Sequence, residues 1–382
     1  MKLMSRRLPL KFVCASLVLP SGLIANAQTA RVGSRRIMLG QSVPVIGAAD
    51  QIGLAYSNGA KLFFSAFNER KNNPGYTFEQ KILDDGYDAA KAAANTKQFI
   101  TDKVDALFGY VGTASSDAAA AVAKTSDLVF FAPFAGSDAL RGKDQTHVFH
   151  VRPSLSDEAL RMVRHCQTLS QTRIALLAED DAMGRAGQAA ISQALSDIKM
   201  PPLVASAFIP VNSDKVQAAT AQLLKAQPQV VIQVALFNST AAFIRQMRKS
   251  GYAGAFMNFS VVGLDPLFTA LGKEISGVVV SQVVPSPRSV TIPIVKEYLA
   301  AIETSDQTAT YESLEGFIAA KTFAEAVRRA GKTFDSASLQ KTLASMTDYD
   351  VGGFRVNLRA GVRDAARSID LVTVTADGKV VR

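Results

Sequence analysis

The sequence predicts an α/β protein made of two doubly wound parallel-sheet lobes, joined by a hinge and enclosing a ligand cleft. Three observations carry that expectation. Short apolar runs alternate with longer segments whose apolar residues recur at helical spacing, the pattern of βα units covering a parallel sheet. The rhythm restarts after Arg152-Pro-Ser154, so two similar series stand one behind the other. The ends of the strand-like runs carry small or polar residues, and in open α/β sheets ligands sit beyond the carboxyl ends of the strands.

Residues 1–27 read as a signal peptide and stand outside the fold. Lys2, Arg6, Arg7 and Lys11 make a basic head, and residues 12–24 an apolar core too short for a comfortable membrane span. Ala25-Asn26-Ala27 is a small-x-small site for cleavage ahead of Gln28. A retained anchor is the alternative, but Pro20, Ser21 and Gly22 interrupt the helix it needs. Cys14, inside the apolar core, is badly placed for lipoprotein processing. The expectation is a soluble, exported, periplasmic protein.

The first series opens with a strand at residues 36–40 and a loop running past Asp50-Gln-Ile52. A helix over 56–70 follows, with Ala60, Phe63, Phe64 and Phe67 at helical spacing, and then the turn Asn72-Asn-Pro-Gly75. Residues 76–83 alternate as a strand, Asp88 caps a helix running to Ile100, and 104–108 and 128–132 are short buried strands. The second series gives helix 157–169, strand 173–178, helix 187–198, strand 203–209 and a helix from Asp214. Strand 229–235, helix 240–249 and strands 253–259 and 277–283 complete it. Beyond the break at Val284-Pro-Ser-Pro287, helices near 292–301, 313–330 and 338–345 and strands near 353–357 and 369–375 finish both lobes. The chain therefore crosses between them more than once. The expected partition is 34–153 plus about 285–346 in lobe 1, and 154–284 plus about 347–382 in lobe 2.

One stretch stands out as a ligand holder, Phe108-Gly-Tyr-Val-Gly-Thr-Ala-Ser-Ser-Asp117. A strand that breaks at Gly109 and Gly112 and enters an alanine-rich helix at 114–124 leaves backbone N–H groups unpaired and pointing the same way. The helix dipole adds partial positive charge there, so a carboxylate is a natural guest. Taken alone, Thr113, Ser115 and Ser116 read better as plain caps, because Ser/Thr caps are far commoner than anion sites. The other strand ends favour a shared cleft: Gly40-Gln-Ser42, Asp84-Asp85, Glu179-Asp-Asp181, Asn238-Ser239 and Asn258, with Ile52 at the same edge.

Composition narrows the function. The 382-residue chain has a formal charge of +9, and loss of the leader with its four basic residues leaves +5, spread without Lys/Arg blocks. That argues against a nucleic-acid partner. Cys166 is the one cysteine outside the leader, which leaves no internal disulfide, and its amphipathic helix marks it as packed core. There is no Gly-x-Ser-x-Gly elbow, phosphate-binding loop or dinucleotide fingerprint. The three histidines are His147, His150 and His165. The first two bracket a strand-like run whose period of two sends them to opposite faces, so an edge-strand or surface role is the better reading. Asp84 and Asp85, adjacent on a strand, diverge in the same way. The expectation is a binding protein with no catalytic residue, metal or cofactor.

Several segments, in order and spacing, resemble a known family. They are Ile37-Met-Leu-Gly-Gln-Ser42 with Gly47 and Gly53, Asp84-Asp85-Gly86-Tyr87-Asp88, Gly109-Tyr-Val-Gly-Thr-Ala-Ser-Ser116 and Ala132-Pro-Phe-Ala-Gly-Ser137. Val148-Phe-His-Val-Arg-Pro153, Ile174-Ala-Leu-Leu-Ala178 with Met183-Gly184, and Ile244-Arg-Gln-Met-Arg248 continue the series. Together they resemble the type I periplasmic solute-binding proteins of the branched-chain amino-acid (leucine/isoleucine/valine) group. The resemblance implies a monomer whose lobes, joined by three crossovers, close on a small solute and deliver it to a membrane ABC permease. It implies that Gly112 and Thr113 hold the ligand carboxylate, with a second contact from Phe134-Ala135-Gly136-Ser137, where glycine replaces the family's threonine and Ser137 is the substitute. Met183 and Leu236 occupy the family's aromatic wall positions, with Phe237 adjacent to the latter. Ser260 falls where an acid takes the ligand ammonium. A buried ammonium without a carboxylate is costly. So either Asp180, Asp181 or Asp265 supplies the charge, or the ligand is a carboxylate or amide without an α-ammonium. A sensing module serving a separate membrane receptor is the alternative to transport.

Overall fold

The apolar runs become two sheets, each feeding its strand ends toward the other. The computed structural model describes residues 35–359, 369–377 and 379–381. The expected leader and its cleavage point at Ala27 lie outside the described residues. The first lobe is built from β1 (Arg35–Val43), α1 (Asp50–Asn68), β2 (Tyr76–Asp84), α2 (Ala89–Thr101), β3 (Ala106–Phe108), α3 (Thr113–Ala123), β4 (Phe130–Phe131) and β5 (Val148–Phe149). Its five strands run in the order β2-β1-β3-β4-β5, every pairing parallel.

The chain then crosses through Arg152-Pro153 into α4 (Leu155–Thr168), β6 (Ile174–Glu179), α5 (Ala182–Asp197), β7 (Ala205–Ile209) and α6 (Gln217–Lys225). There follow β8 (Val230–Val234), α7 (Phe237–Lys249), β9 (Ala255–Asn258), α8 (Leu264–Leu271) and β10 (Val278–Gln282). Helices α9 (Pro293–Ile302), α10 (Tyr311–Ala330) and α11 (Ser336–Ser345) return, with α9 and α10 packed on α1. A small hairpin, β11 (Tyr349–Asp350) and β12 (Arg355–Val356), precedes β13 (Asp370–Val374) and β14 (Val380–Val381). These last two add an antiparallel edge to the second sheet, whose order is β14-β13-β10-β9-β8-β6-β7. Stripped of that edge, both sheets have the doubly wound order that reverses after its first strand. The switch points lie between β1 and β3 and between β6 and β8, where a ligand crevice forms in such sheets. Among the described residues no helix is long and apolar enough to cross a membrane.

Local chemistry explains most boundaries. Asp88 accepts from the Lys91 amide to start α2, as its sequence position suggests, and Asp181 does the same for Gly184 in α5. Ser154 with Asp157, and Thr310 with Ser313, close reciprocal capping boxes on α4 and α10. Three expectations change. The segment Asp50-Gln-Ile52 is the first turn of α1 and not a loop; Ala49 precedes it without a side-chain cap, so the start had no marker. Helix α8 and the strands β11 and β14 are additions to the expected elements. His147 and His150 do flank an edge strand, but they are buried and not at the surface. Their Nε2 atoms lie 3.2 Å from the Ala120 carbonyl and 3.0 Å from the Leu140 carbonyl. Burial pushes both below the ordinary imidazole value, for His150 with help from Arg141, so both are neutral. Cys166 is packed as expected, its thiol 3.6 Å from the Met257 sulfur.

The closest helix pair is α1 with α10, and two glycines permit it. A Cβ on Gly59 would sit 1.8 Å from the Ser313 carbonyl oxygen, and one on Gly316 would sit 2.0 Å from that of Tyr56. Backbone therefore meets backbone, which brings Phe63 edge-on to Phe317 at 5.4 Å. Glycine in a helix interior costs about 0.5–1 kcal/mol, and here close packing offsets it. Gly316→Ala and Gly59→Ala should each lower stability by about 1–3 kcal/mol in urea denaturation, because overpacking exceeds the helix-propensity gain. Unchanged or raised stability would show that the helices separate freely.

Candidate functional site

The loops after the strands of both sheets meet around a narrow cleft. From the first lobe come Ala49 and Ile52 after β1, Tyr87 after β2, Val111, Gly112 and Thr113 after β3, and Phe134 and Ala135 after β4. The second lobe contributes Met183 after β6, Leu236 after β8 and Val261 after β9. Both switch points are thus represented in the lining.

The polar side is the entrance to α3. Gly112 has φ +99°, a conformation that favours glycine, and a Cβ there would strike the Tyr87 ring at 2.5 Å. Its N–H donates to the Phe134 carbonyl at 3.2 Å, and the Phe134 N–H donates to the Tyr110 carbonyl at 2.7 Å, tying the two loops together. No side chain caps α3, so its first amides are left for a guest, with Thr113 beside them.

Tyr87 itself sits at φ +65°, a strained conformation for an aromatic residue. Its N–H donates to Asp85 Oδ1 at 2.9 Å, while Asp85 Oδ2 accepts from Ser42 at 2.7 Å. Burial pushes the Asp85 carboxyl up to about 6 against those two hydrogen bonds. Held in this way, Tyr87 reaches across the cleft, its hydroxyl 3.9 Å from the Met183 sulfur. The opposite wall is equally fixed. Phe134 lies edge-on to Tyr56 at 5.6 Å, with the Arg152 guanidinium 4.0 Å from its ring centre. The Tyr56 hydroxyl donates to the Ala132 carbonyl at 2.8 Å, and Ala132 is also strained, at φ +51°.

Of the residues expected at the site, Ile52, Gly112, Thr113, Phe134, Ala135, Met183 and Leu236 line the cleft. Gly136 does not: its carbonyl accepts from the Leu155 amide at 2.8 Å and marks the way into α4. Ser137 borders a separate groove with Asp117 and Asp138, a groove that Thr113 also touches. Phe237 is buried in the first turn of α7. Ser260 is turned inward, where its hydroxyl accepts from Arg152 Nη2 at 2.5 Å and donates to Glu158 Oε1 at 3.0 Å. The three replacement acids are elsewhere: Asp180 pairs with Arg185, Asp181 caps α5, and Asp265 lines another pocket with Arg288. Ala49, Tyr87, Val111 and Val261 were not anticipated. For Tyr87 the signal was present, an aromatic directly after the glycine of a strand-end motif. Among the described residues no group of three or more His, Cys, Asp or Glu side chains could hold a metal.

One acid lies behind the lining. Glu179 ends β6, and its Oε1 accepts from the Asn212 amide at 2.8 Å and the Ser239 hydroxyl at 2.6 Å. Burial nevertheless pushes its carboxyl from 4.5 up to about 7. The folded state therefore keeps this proton longer than the unfolded chain does, so stability falls as pH rises from about 4.5 to about 7. Glu179→Gln retains the accepting oxygen and should remove that fall. Urea denaturation at both ends of the window should show the variant gaining roughly 2–3 kcal/mol on the wild type at the upper end. Parallel pH profiles would contradict this.

Known proteins share this architecture. Residues 36–379 match the model of the periplasmic binding protein family. A possible leucine/isoleucine/valine-binding protein from Rhodopirellula baltica superposes with a TM-score of 0.87 at 26% identity, over 92% of this chain and 97% of its own. A substrate-binding periplasmic protein from Ralstonia solanacearum gives 0.82 at 27% identity, over 90% and 99%. A branched chain amino acid ABC transporter from Thermus thermophilus with bound valine gives 0.82 at 14% identity, over 92% and 96%, a likeness of fold. No curated sequence relative matches. With its two parallel-sheet lobes and a cleft at both switch points, the chain belongs to the periplasmic binding protein family, in the type I fold shared with leucine/isoleucine/valine-binding proteins.

Proposed function

We propose that the protein is a periplasmic solute-binding protein whose lobes close on a small apolar carboxylate lacking an α-ammonium group, which it delivers to a membrane ABC permease. One observation carries the ligand class: the cleft pairs the uncapped start of α3 and Thr113 with apolar walls, and its lining holds no carboxylate. The free amides and hydroxyl suit a carboxylate, whose charge-assisted hydrogen bonds are the stronger kind. An ammonium closed into the same space would lose its hydration and gain no counter-charge. Ala49, Ile52, Val111, Leu236 and Val261 suit an alkyl or ring tail instead. Closure follows from differential binding, because a solute touching Thr113 from one lobe and Leu236 from the other stabilises the closed state over the open one.

Calorimetric titration tests this directly. The deaminated analogue 4-methylpentanoate should bind about tenfold or more tightly than leucine, since only leucine buries an uncompensated charge. Tighter binding of leucine would overturn the ligand class. Thr113→Ala should weaken carboxylate binding by about tenfold while costing about 1 kcal/mol or less of stability. An unchanged affinity removes Thr113 from the site. A thermal-shift screen of short aliphatic and aromatic acids, amides and amino acids should give hits that are bound and not consumed; turnover of a hit would favour an enzyme.

A further inference from the structure

At the far end of lobe 1 from the cleft, the C-terminal end of α1, the start of β2 and one face of α10 form a groove of about 310 Å³. Tyr76 on its wall begins β2, and β2 ends at Asp84 near the cleft. At the rise of a strand that separation is roughly 26 Å. The groove falls within the size range of small-molecule pockets, about 300–1,000 Å³. Nothing in the binding cleft uses it.

Three features give it a chemical character. Phe63 and Phe67 form an aromatic wall, and the Arg70 guanidinium lies 5.1 Å from the ring centre of Phe67 and 5.7 Å from that of Phe63. The Arg70 side chain is 51% exposed, so the outer face of this flat cation is open to a second ring. Charge is in surplus. Glu297 serves both Lys321, at 2.5 Å, and Arg70, at 4.0 Å, while Glu325 serves both Arg328 and Arg329, each at 2.7 Å. Asp350 also acts on Lys321 but is shared with Arg355, so the groove lining itself carries three cations, Arg70, Lys321 and Arg328, against one carboxylate, Glu325. Finally, the Tyr76 hydroxyl is buried among the groove-lining residues without a hydrogen-bond partner. Burial raises its pKa, with Arg328 acting the other way, so it is a neutral phenol beside a cation. A buried phenol without a partner is uncommon in a finished core.

We infer that this groove is a second binding site, separate from the interlobe cleft, for an organic anion carrying an aromatic ring. The ring stacks on the outer face of Arg70. The anionic group meets Lys321 and Arg328, and the Tyr76 hydroxyl donates to it from the wall.

The test is an NMR titration of the ¹⁵N-labelled protein with 2-naphthoate, comparing 2-methylnaphthalene and cyclohexanecarboxylate, which lack the charge and the ring. Saturable amide shifts are expected at residues 70–76 and 321–328, with each comparison compound about tenfold weaker or worse. Arg70→Ala and Arg328→Gln should each weaken 2-naphthoate there by about tenfold, and Tyr76→Phe by about threefold. Thr113→Ala, in the cleft, should leave these shifts unaltered. Each variant's own spectrum reports whether it has folded. Absence of shifts at 70–76 and 321–328, or variants that bind as the wild type does, would overturn the proposal. Shifts at 109–116 alone would place the probe in the cleft and overturn it as well, while leaving the proposed transport function standing.

Discussion

A single guanidinium, only 1% exposed, occupies the first crossing between the lobes. Arg152 follows β5, precedes α4 and touches everything that meets there. Its cation faces the Phe134 ring of lobe 1, donates to Ser260 of lobe 2, and lies 3.5 Å from Glu315 on the returning helix α10. Glu158, fully buried, then receives the Ser260 amide at 2.8 Å together with the hydroxyls of Ser260 and Ser281. Taking ions out of water costs several kcal/mol each, and loss of one partner leaves the other uncompensated. The network is therefore stable only when both lobes and the returning helix are in register. Arg141, also buried, braces the crossing by donating to the carbonyls of Arg152 and Pro153 at 3.0 and 3.1 Å. The separation of Thr113 from Leu236, and hence the cleft, depends on this junction.

The same network explains the neutrality of the cleft. Ser260 stands where relatives of the leucine-binding type were expected to carry an acid. Here the acid is set back, as Glu158, and is consumed by internal donors. Arg152 reaches the same serine from the other side, so Ser260 and Glu158 are both engaged inside the junction. Glu315, raised to about 7 by burial against the pull of Arg152, belongs to this internal layer too. The proposed ligand class and the hinge thus draw on the same buried network.

Much of this was legible in the sequence, for physical reasons. Strands buried on both faces read as apolar runs, so the two βα series and their restart could be counted. The strand–glycine–helix turn at Gly112 and Thr113 was readable because an apolar run breaks at glycine just before an alanine-rich segment. What was hidden depends on contacts distant along the chain. Nothing local ties Arg152 to Ser260 or to Glu315. β11 and β14 are two residues each, too short for any periodicity. Ser137 illustrates a finer limit: the cleft lining in this segment ends at Ala135, and two residues on, the chain has turned to the Asp117 groove.

Stiffness is unevenly distributed between hinge and rim. At the hinge, ions and several charge-assisted hydrogen bonds join the lobes in a dry interior, where such bonds are strongest. At the rim, the hydrogen bond joining Tyr87 to Met183 ends on a thioether, a weak acceptor, at 3.9 Å. Separating the rim is therefore cheap, while separating the hinge is not, so the motion open to the molecule is rotation about the Arg152 junction. A solute shifts such an equilibrium only by its differential affinity for the closed form. In the proposed function, contacts made jointly by the start of α3 and by the α5 and α7 entrances would supply that difference. The strain held at Tyr87 fits the same division, since it fixes a side chain that reaches Met183 across the cleft through a weak contact alone.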